Sequence, residues 1–195
     1  HPIWDIDMSS APLLIDTTVD GRPRKLVAVP SKVSWLYVFD RISGAPIWPI
    51  EEKAVPQSDV PGEKTARTQP HPTRPPAYAR QYLDETKDLI DFTPEMRAQA
   101  LQILKRYKNG PLYNPPIVGS NTGLIGSINV GNAGGGTNWP GGSFDGETGI
   151  VYVQANNAGV SSFSLRKPPT GFSDITYVSG REGTEFREAL GPGFG

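Results

Sequence analysis

Val38-Phe39-Asp40-Arg41-Ile42-Ser43-Gly44-Ala45-Pro46-Ile47-Trp48 fits the pattern x-x-D-x-x-[ST]-G-x-x-x-W. Ser143-Phe144-Asp145-Gly146-Glu147-Thr148-Gly149 repeats its first half. The turn has a local physical basis: the Asp caps turn amides and the Gly takes the left-handed backbone position. Strand-like runs surround both copies. Leu13 to Val19 leads into Asp20-Gly21, a dipeptide suited to a two-residue hairpin turn whose central residues both need φ > 0. Lys25 to Val29 returns, and Trp35 to Phe39 is rich in aromatic and β-branched residues. Ala45 to Trp48 reads as a short outer strand, Gly123 to Gly126 as another short one, and Ile150 to Val153 as the strand after the second turn.

Other segments have different character. Residues 49–80 are proline-rich and poor in apolar side chains, which predicts a long loop and no β-element. Thr93-Pro94-Glu95 carries helix-start signals: an N-cap, a proline at the first helical position and an acid in the first turn. Met96, Ala100, Leu104 and Tyr107 share one helical face, and Asn109-Gly110 supplies a stop, so an amphipathic helix over 94–108 is expected to pack on the sheet. Residues 161–195 show no strong period and are read as irregular.

Composition excludes several classes of function. The 195 residues carry 20 Pro and 22 Gly, a formal net charge of −1 and no cysteine. A near-neutral balance argues against nucleic acid or an anionic membrane as partner. The missing cysteine removes a disulfide framework, a thiolate zinc site and a cysteine nucleophile. No apolar run approaches the ~18 residues of a membrane span.

Repeated β units that cannot bury their faces alone are the mark of a β-propeller, although two ordinary hairpin turns would leave the same local pattern. The final Trp of the repeat, Trp48, can wedge between blades. The repeat, the opening His1-Pro2-Ile3-Trp4-Asp5-Ile6-Asp7, Pro30-Ser31-Lys32, and the runs Val55 to Glu63 and Thr68 to Pro70 resemble quinoprotein dehydrogenases. These are eight-bladed propellers using pyrroloquinoline quinone, and the glucose/polyol branch is the most similar. Leu89 to Pro94, Gly110 to Pro116 and Gly134-Gly135-Gly136-Thr137-Asn138-Trp139 continue the likeness, which covers residues 1 to about 157. It implies a mainly β fold, a partial β-propeller of about two tryptophan-docking-type blades with one amphipathic helix in an inserted segment. The expected divisions are 1–50 for a blade with the catalytic Asp and quinone-binding Lys, and 51–122 for a Pro-rich loop and helical insertion. Blade strands with the Gly-rich cofactor loop follow over 123–157, then an irregular segment over 158–195 leading to further blades. A chain of this length is accordingly expected to be a segment of a quinoprotein dehydrogenase, inactive by itself.

The resemblance also assigns roles. Asp5, which by itself reads as a turn carboxylate, becomes the base that takes a substrate hydroxyl proton while hydride leaves carbon. Lys32, otherwise a solvated turn lysine, stands 27 residues after Asp5 at the family's spacing and becomes the quinone-binding ammonium. Asn138 and Trp139 match an Asn-Trp pair at the quinone, where Asn donates to an oxygen and the indole forms an apolar wall; Trp139 reads equally as a blade-packing residue. The family's Ca²⁺ implies Asp5 as a metal neighbour, and Asp7 resembles the extra carboxylate of lanthanide-using enzymes. His71 is read as a loop histidine. The implied substrate is a small alcohol, sugar or polyol, the acceptor a quinone or cytochrome, the partner the remainder of the propeller chain, and the location the periplasm. Two alternatives stay open: a non-catalytic propeller scaffold module and a stand-alone carbohydrate-binding β-domain.

Overall fold

The computed structural model describes residues 3–130, 135–157 and 160–180. His1 and Pro2 of the opening motif, Gly134 of the glycine triplet and residues 181–195 lie outside the described residues. Strands β1 (Leu13–Val19), β2 (Arg22–Pro30) and β3 (Leu36–Asp40) form an antiparallel sheet in the order β1-β2-β3. The β1–β2 turn has Asp20 at φ 50° and Gly21 at φ 73°, the two left-handed residues that Asp-Gly predicts. Register follows from it: Val19 pairs with Arg22, Ile15 with Leu26 and Leu13 with Ala28.

β3 is buried on both faces. Leu36 and Val38 join Ile15, Leu26 and Ala28 in one core cluster, while Tyr37 and neighbouring Trp35 join Val33, Val55 and Tyr113 in another. The period-2 alternation of a strand thus divides one segment between two cores. β8 (Gly142–Asp145) and β9 (Ile150–Val153) form a hairpin whose Phe144, Val151 and Val153 pack on the first cluster. Trp48 docks on the same cluster.

The two repeat turns share one geometry. Asp40 Oδ1 accepts from the backbone N–H of Ile42 (3.0 Å) and Ser43 (2.9 Å), and Gly44 sits at φ 75°. Asp145 Oδ1 accepts from Glu147 N–H (2.9 Å), its Oδ2 from Thr148 Oγ1 (2.7 Å), and Gly149 sits at φ 71°. These hydrogen bonds hold both carboxyls below the usual carboxylate range.

Four sequence expectations need correction. Ala45 to Trp48 forms an isolated bridge, Phe39 to Pro46, in place of a strand: Asp40 N–H donates to Ala45 C=O and Ile47 N–H to Val38 C=O, and the pairing goes no further. The proline-rich stretch contains β4 (Ile50–Ala54) paired with β5 (Thr68–Pro72), and its prolines are tolerated because this ladder has only two strands. The helix α1 covers Pro94–Leu104, starts as expected with Thr93 Oγ1 accepting from Met96 N–H, and stops before residue 108. Beyond it Tyr107–Lys108 becomes strand β6, drawn into parallel pairing with β7 (Gly126–Val130). Leu104 is the buried residue of the helix and packs with Leu83 and Ile128. Finally, the segment read as irregular holds β10 (Val160–Phe163) on β7, and β11 (Leu165–Arg166) paired with β12 (Val178–Ser179).

Urea unfolding distinguishes the buried register from the exposed one. Ile15→Ala, at a side chain 3% exposed, costs about 2–4 kcal/mol, whereas Leu14→Ala, 70% exposed, costs less than about 0.5 kcal/mol. The turn carboxyls contribute to the acid dependence. Their folded pKa values are lowered, so their contribution is present above the ordinary carboxylate range and is lost as pH falls through the lowered values. Thermal melts of Asp40→Ala are expected to lose Tm at neutral pH and to differ less from the parent in acid.

Candidate functional site

The site is built on the sharp link between β2 and β3. Ser31 Oγ donates to Trp35 C=O at 2.8 Å, Ser34 N–H donates to Ser31 C=O at 3.0 Å, and Ser34 takes φ 62°. This turn buries Ser31, Lys32 and Ser34. A buried ammonium demands partners, and the N-terminal segment folds back to supply them. Lys32 Nζ lies 3.0 Å from Asp5 Oδ1 and 2.6 Å from Asp7 Oδ1. The lysine side chain is 7% exposed, whereas the Asp5 and Asp7 side chains are 59% and 63% exposed. The cation is enclosed and its carboxylates remain reachable. Burial by itself pulls the Lys32 pKa down, but hydrogen bonds to Asp7 and Asp5 outweigh it and hold the ammonium above the ordinary lysine value. The Lys32 hydrogen bond holds the Asp7 carboxyl below the usual range.

The glycine-rich loop closes over the same turn. Gly136 N–H donates to Lys32 C=O at 2.7 Å. A Cβ at Gly135, which has φ +68°, would stand 2.5 Å from Lys32 Cγ, and one at Gly136 would stand 1.8 Å from Ser34 Oγ. Only glycine permits this approach. Asn138 and Trp139 follow at once. Asn138 Oδ1 accepts from Ser9 Oγ (2.9 Å) and from Trp139 N–H (2.8 Å), and Ser10 Oγ donates to Asn138 C=O, tying the loop to the segment that carries Asp5 and Asp7. Trp139 is 78% exposed and belongs to no buried cluster among the described residues.

Below Asp5 lies an aromatic floor. Trp4 packs on Tyr113 at 5.1 Å between ring centroids, and Trp4 Nε1–H donates to Asn114 C=O at 3.0 Å. Trp35 and His71 complete the cluster at 4.8 Å. His71 is therefore a strand residue of β5 packed at a 60° tilt on Trp35, with Nδ1 2.8 Å from Gln69 C=O, and the loop reading of it is corrected. Burial raises the Tyr113 hydroxyl well above the usual range and pushes Tyr37 up to about 12, with the Glu52 charge adding to the latter. A cavity of about 300 Å³ has Asp5 and Lys32 in its wall with Trp4, Leu112, Tyr113 and Phe163.

The sequence profile described as PQQ: glucose/ethanol/alcohol dehydrogenase, β-propeller domain, matches residues 1–188. The chain belongs to this family. Among its curated relatives, a quinate/shikimate dehydrogenase (quinone) of Acinetobacter baylyi is 27% identical over 170 residues, 87% of this chain and 20% of that protein. The glycerol dehydrogenase large subunit of Gluconobacter oxydans is 31% identical over 156 residues, covering 79% and 20%. A solved quinohemoprotein alcohol dehydrogenase from Pseudomonas putida aligns over 85% of this chain and 18% of its own, with 19% identity and a TM-score of 0.39. The chain thus spans about a fifth of the length of the curated relatives it matches. Its two- and three-stranded sheets constitute a partial β-propeller.

The quinone of this family fits the residues present: an enclosed ammonium, a loop whose glycines leave no room for a Cβ, and an exposed indole beside it. The metal fits less well. Among the described residues no group of three or more His, Asp or Glu side chains gathers, and Lys32 occupies one oxygen each of Asp5 and Asp7. Calcium takes six to eight oxygens, more than this pair supplies. Tyr78 is a residue that sequence reasoning passed over. Its hydroxyl lies 3.1 Å from Ser31 C=O and 2.7 Å from Thr137 Oγ1, joining the Lys32 turn to the glycine loop. Nothing in its Pro-rich surroundings signals this; the contact spans 47 residues to Ser31 and 59 to Thr137.

The close approach can be tested by thermal unfolding. Gly62→Ala has open space and costs only the left-handed backbone strain, about 1–2 kcal/mol. Gly135→Ala meets the Lys32 stem as well and is expected to lose a further 1–3 kcal/mol or so.

Proposed function

We propose that this arc carries the base and one side of the quinone pocket in a dehydrogenase that oxidises an alcohol, sugar or polyol and passes the electrons to a quinone or cytochrome. The observation that carries the reading is the Lys32 ammonium enclosed between Asp5 and Asp7 beneath the glycine loop. Relatives named for quinate/shikimate and glycerol support the substrate class, and the family supports the cofactor. A scaffold module has no need to enclose an ammonium between reachable carboxylates.

In this reading the bound pyrroloquinoline quinone supplies a carbonyl carbon that accepts hydride. The protein supplies the rest. Asp5, whose carboxylate stays reachable, accepts the hydroxyl proton of the substrate as the C–H bond gives up its electron pair and a C=O bond forms. The substrate is oxidised by two electrons, the proton rests on an Asp5 oxygen, and the hydride leaves with the cofactor. Lys32 would hold the cofactor's oxygens, its ammonium donating hydrogen bonds to them. The one ammonium is shared by both carboxylates, so the trio keeps a net charge of −1 and each carboxylate keeps one oxygen not held by Lys32. Asn138 and Trp139 border the ring from the glycine loop. No step is routed through a metal.

The test uses the complete propeller reconstituted with quinone. Asp5→Asn is expected to lower kcat by about 10²–10⁴-fold while quinone affinity, read by fluorescence quenching, stays within a few-fold. Lys32→Met is expected to weaken quinone binding itself. Turnover of Asp5→Asn within twofold of the parent overturns the assignment of the base.

A further inference from the structure

The hydroxyl of Tyr78 has partners that stand directly before two of the groups assigned to the quinone. Ser31 precedes Lys32, and Thr137 precedes Asn138. Both partners are 1% exposed. Ser31 N–H donates to Tyr78 Oη at 3.3 Å, and the hydroxyl lies 2.7 Å from Thr137 Oγ1 and 3.1 Å from Ser31 C=O. Counting protons gives these bonds a direction. Thr137 Oγ1 donates its one proton to Gln154 C=O at 2.6 Å, and a carbonyl only accepts. Thr137 Oγ1 therefore accepts from Tyr78, and the chain runs from Ser31 N–H through Tyr78 and Thr137 to Gln154 C=O. Bonds in such a chain polarise one another, so removing one hydroxyl weakens its neighbours.

The rest of the tyrosine is fixed without its hydroxyl. The ring packs on the cluster of Ile15, Leu26 and Leu36, and the Tyr78 N–H donates to Ser34 C=O at 3.0 Å. Gln81 Nε2 donates to Val33 C=O at 2.7 Å, which keeps this stretch against the Lys32 turn. On the other side Arg80 N–H donates to Asn157 Oδ1 at 2.8 Å, and neighbouring Asn156 N–H donates to Gly136 C=O at 2.7 Å. Residues 78–81 thus grip the Lys32 turn and the chain that supports the glycine loop.

We propose that Tyr78 is a positioning residue for the quinone, its hydroxyl setting the separation between the wall that bears Lys32 and the wall that bears Asn138 and Trp139. The inference rests on the assignment of Lys32 and Asn138 to the quinone. The Lys32 head is held by Asp5 and Asp7, and Gly135 lies against its stem with no room for a Cβ. With one wall fixed, a shift of the loop by a fraction of an ångström changes the width of the pocket while the core stays packed, and a binding site tolerates only about 0.5 Å of such error.

The experiment uses the complete propeller, prepared without quinone and titrated with it. Tyr78→Phe keeps the ring and removes the hydroxyl; its quinone Kd, read by fluorescence quenching, is expected to rise about three- to tenfold. Thr137→Val is expected to raise Kd by the same factor, and Thr137→Ser, which keeps the hydroxyl, to restore most of the loss. The double variant Tyr78→Phe/Thr137→Val binds no more than about twofold more weakly than either single variant, because both remove the same bond. Ile15→Ala, in the cluster on which the tyrosine ring packs, lowers Tm at least as far and leaves quinone Kd within about twofold of the parent, as a loss of stability alone does. In the quinone-free protein, hydrogen exchange at Gly136 N–H, which donates to Lys32 C=O, is expected to be faster in Tyr78→Phe than in Ile15→Ala. A parental Kd in Tyr78→Phe, independent losses that multiply in the double variant, or an equal loss of affinity in Ile15→Ala overturns the positioning role. Lys32→Met, titrated alongside, separates the two levels of the argument. If it weakens quinone binding while Tyr78→Phe does not, Tyr78 loses its role and the pocket assignment stands. If it leaves quinone affinity unchanged, the pocket assignment fails and the inference with it.

Discussion

Enclosing one ammonium organises this part of the molecule. Lys32 sits in a turn whose serines bond one another and the backbone, so its stem has no route to solvent along the strand. A lysine so placed is tolerated only with its charge paired. The pairing forces the segment bearing Asp5 and Asp7 to lie across the end of the first sheet, and that segment in turn brings Ser9 and Ser10 onto Asn138. The glycine loop can then settle on the lysine stem. The positions of Asp5, Lys32 and Asn138 are thus consequences of a single electrostatic demand met by three distant stretches of chain.

What was legible in the sequence was what is decided locally. Asp20-Gly21, the two D-x-x-[ST]-G turns and the Thr93 cap each specify backbone angles or hydrogen bonds within a few residues, and each stands in the structure as read. The readings that failed depended on pairing between distant segments. β5 carries Pro70 and Pro72 yet pairs with β4, because the hydrogen bonds on the side facing its partner come from other residues. Tyr107 and Lys108 continue a helical period but gain more from lying beside Gly126 and Ser127. β10 has no apolar alternation of its own and is made a strand by β7.

The candidate site divides along the same line. Asp5 and Lys32 were recoverable because the resemblance fixes both their identity and their spacing, and the structure brings them to 3.0 Å. Asn138 was singled out through the resemblance, which sets an Asn-Trp pair just after the glycines. Tyr78 had no such mark, since an isolated tyrosine has no chemistry until the fold supplies its neighbours. His71 shows the converse: a residue type that invites a functional reading is here a ring packed between Trp35 and Tyr113.

The distribution of apolar surface fits the same architecture. β3 buries both faces because a core lies on each side, whereas other strands keep large apolar side chains exposed: Leu14 on β1, Ile150 and Tyr152 on β9, Val160 on β10. In a self-sufficient sandwich the alternate positions on such strands would be polar. In a ring of repeated units each sheet has a neighbour on either side, and a face that is open in one arc is the face on which the next unit packs. The same geometry explains why the polar groups of the site all gather where the segments between strands converge. The sheets supply a rigid base, and the Asp5 segment, the Lys32 turn and the glycine loop, none of them strand, meet above it at the edge of the aromatic floor.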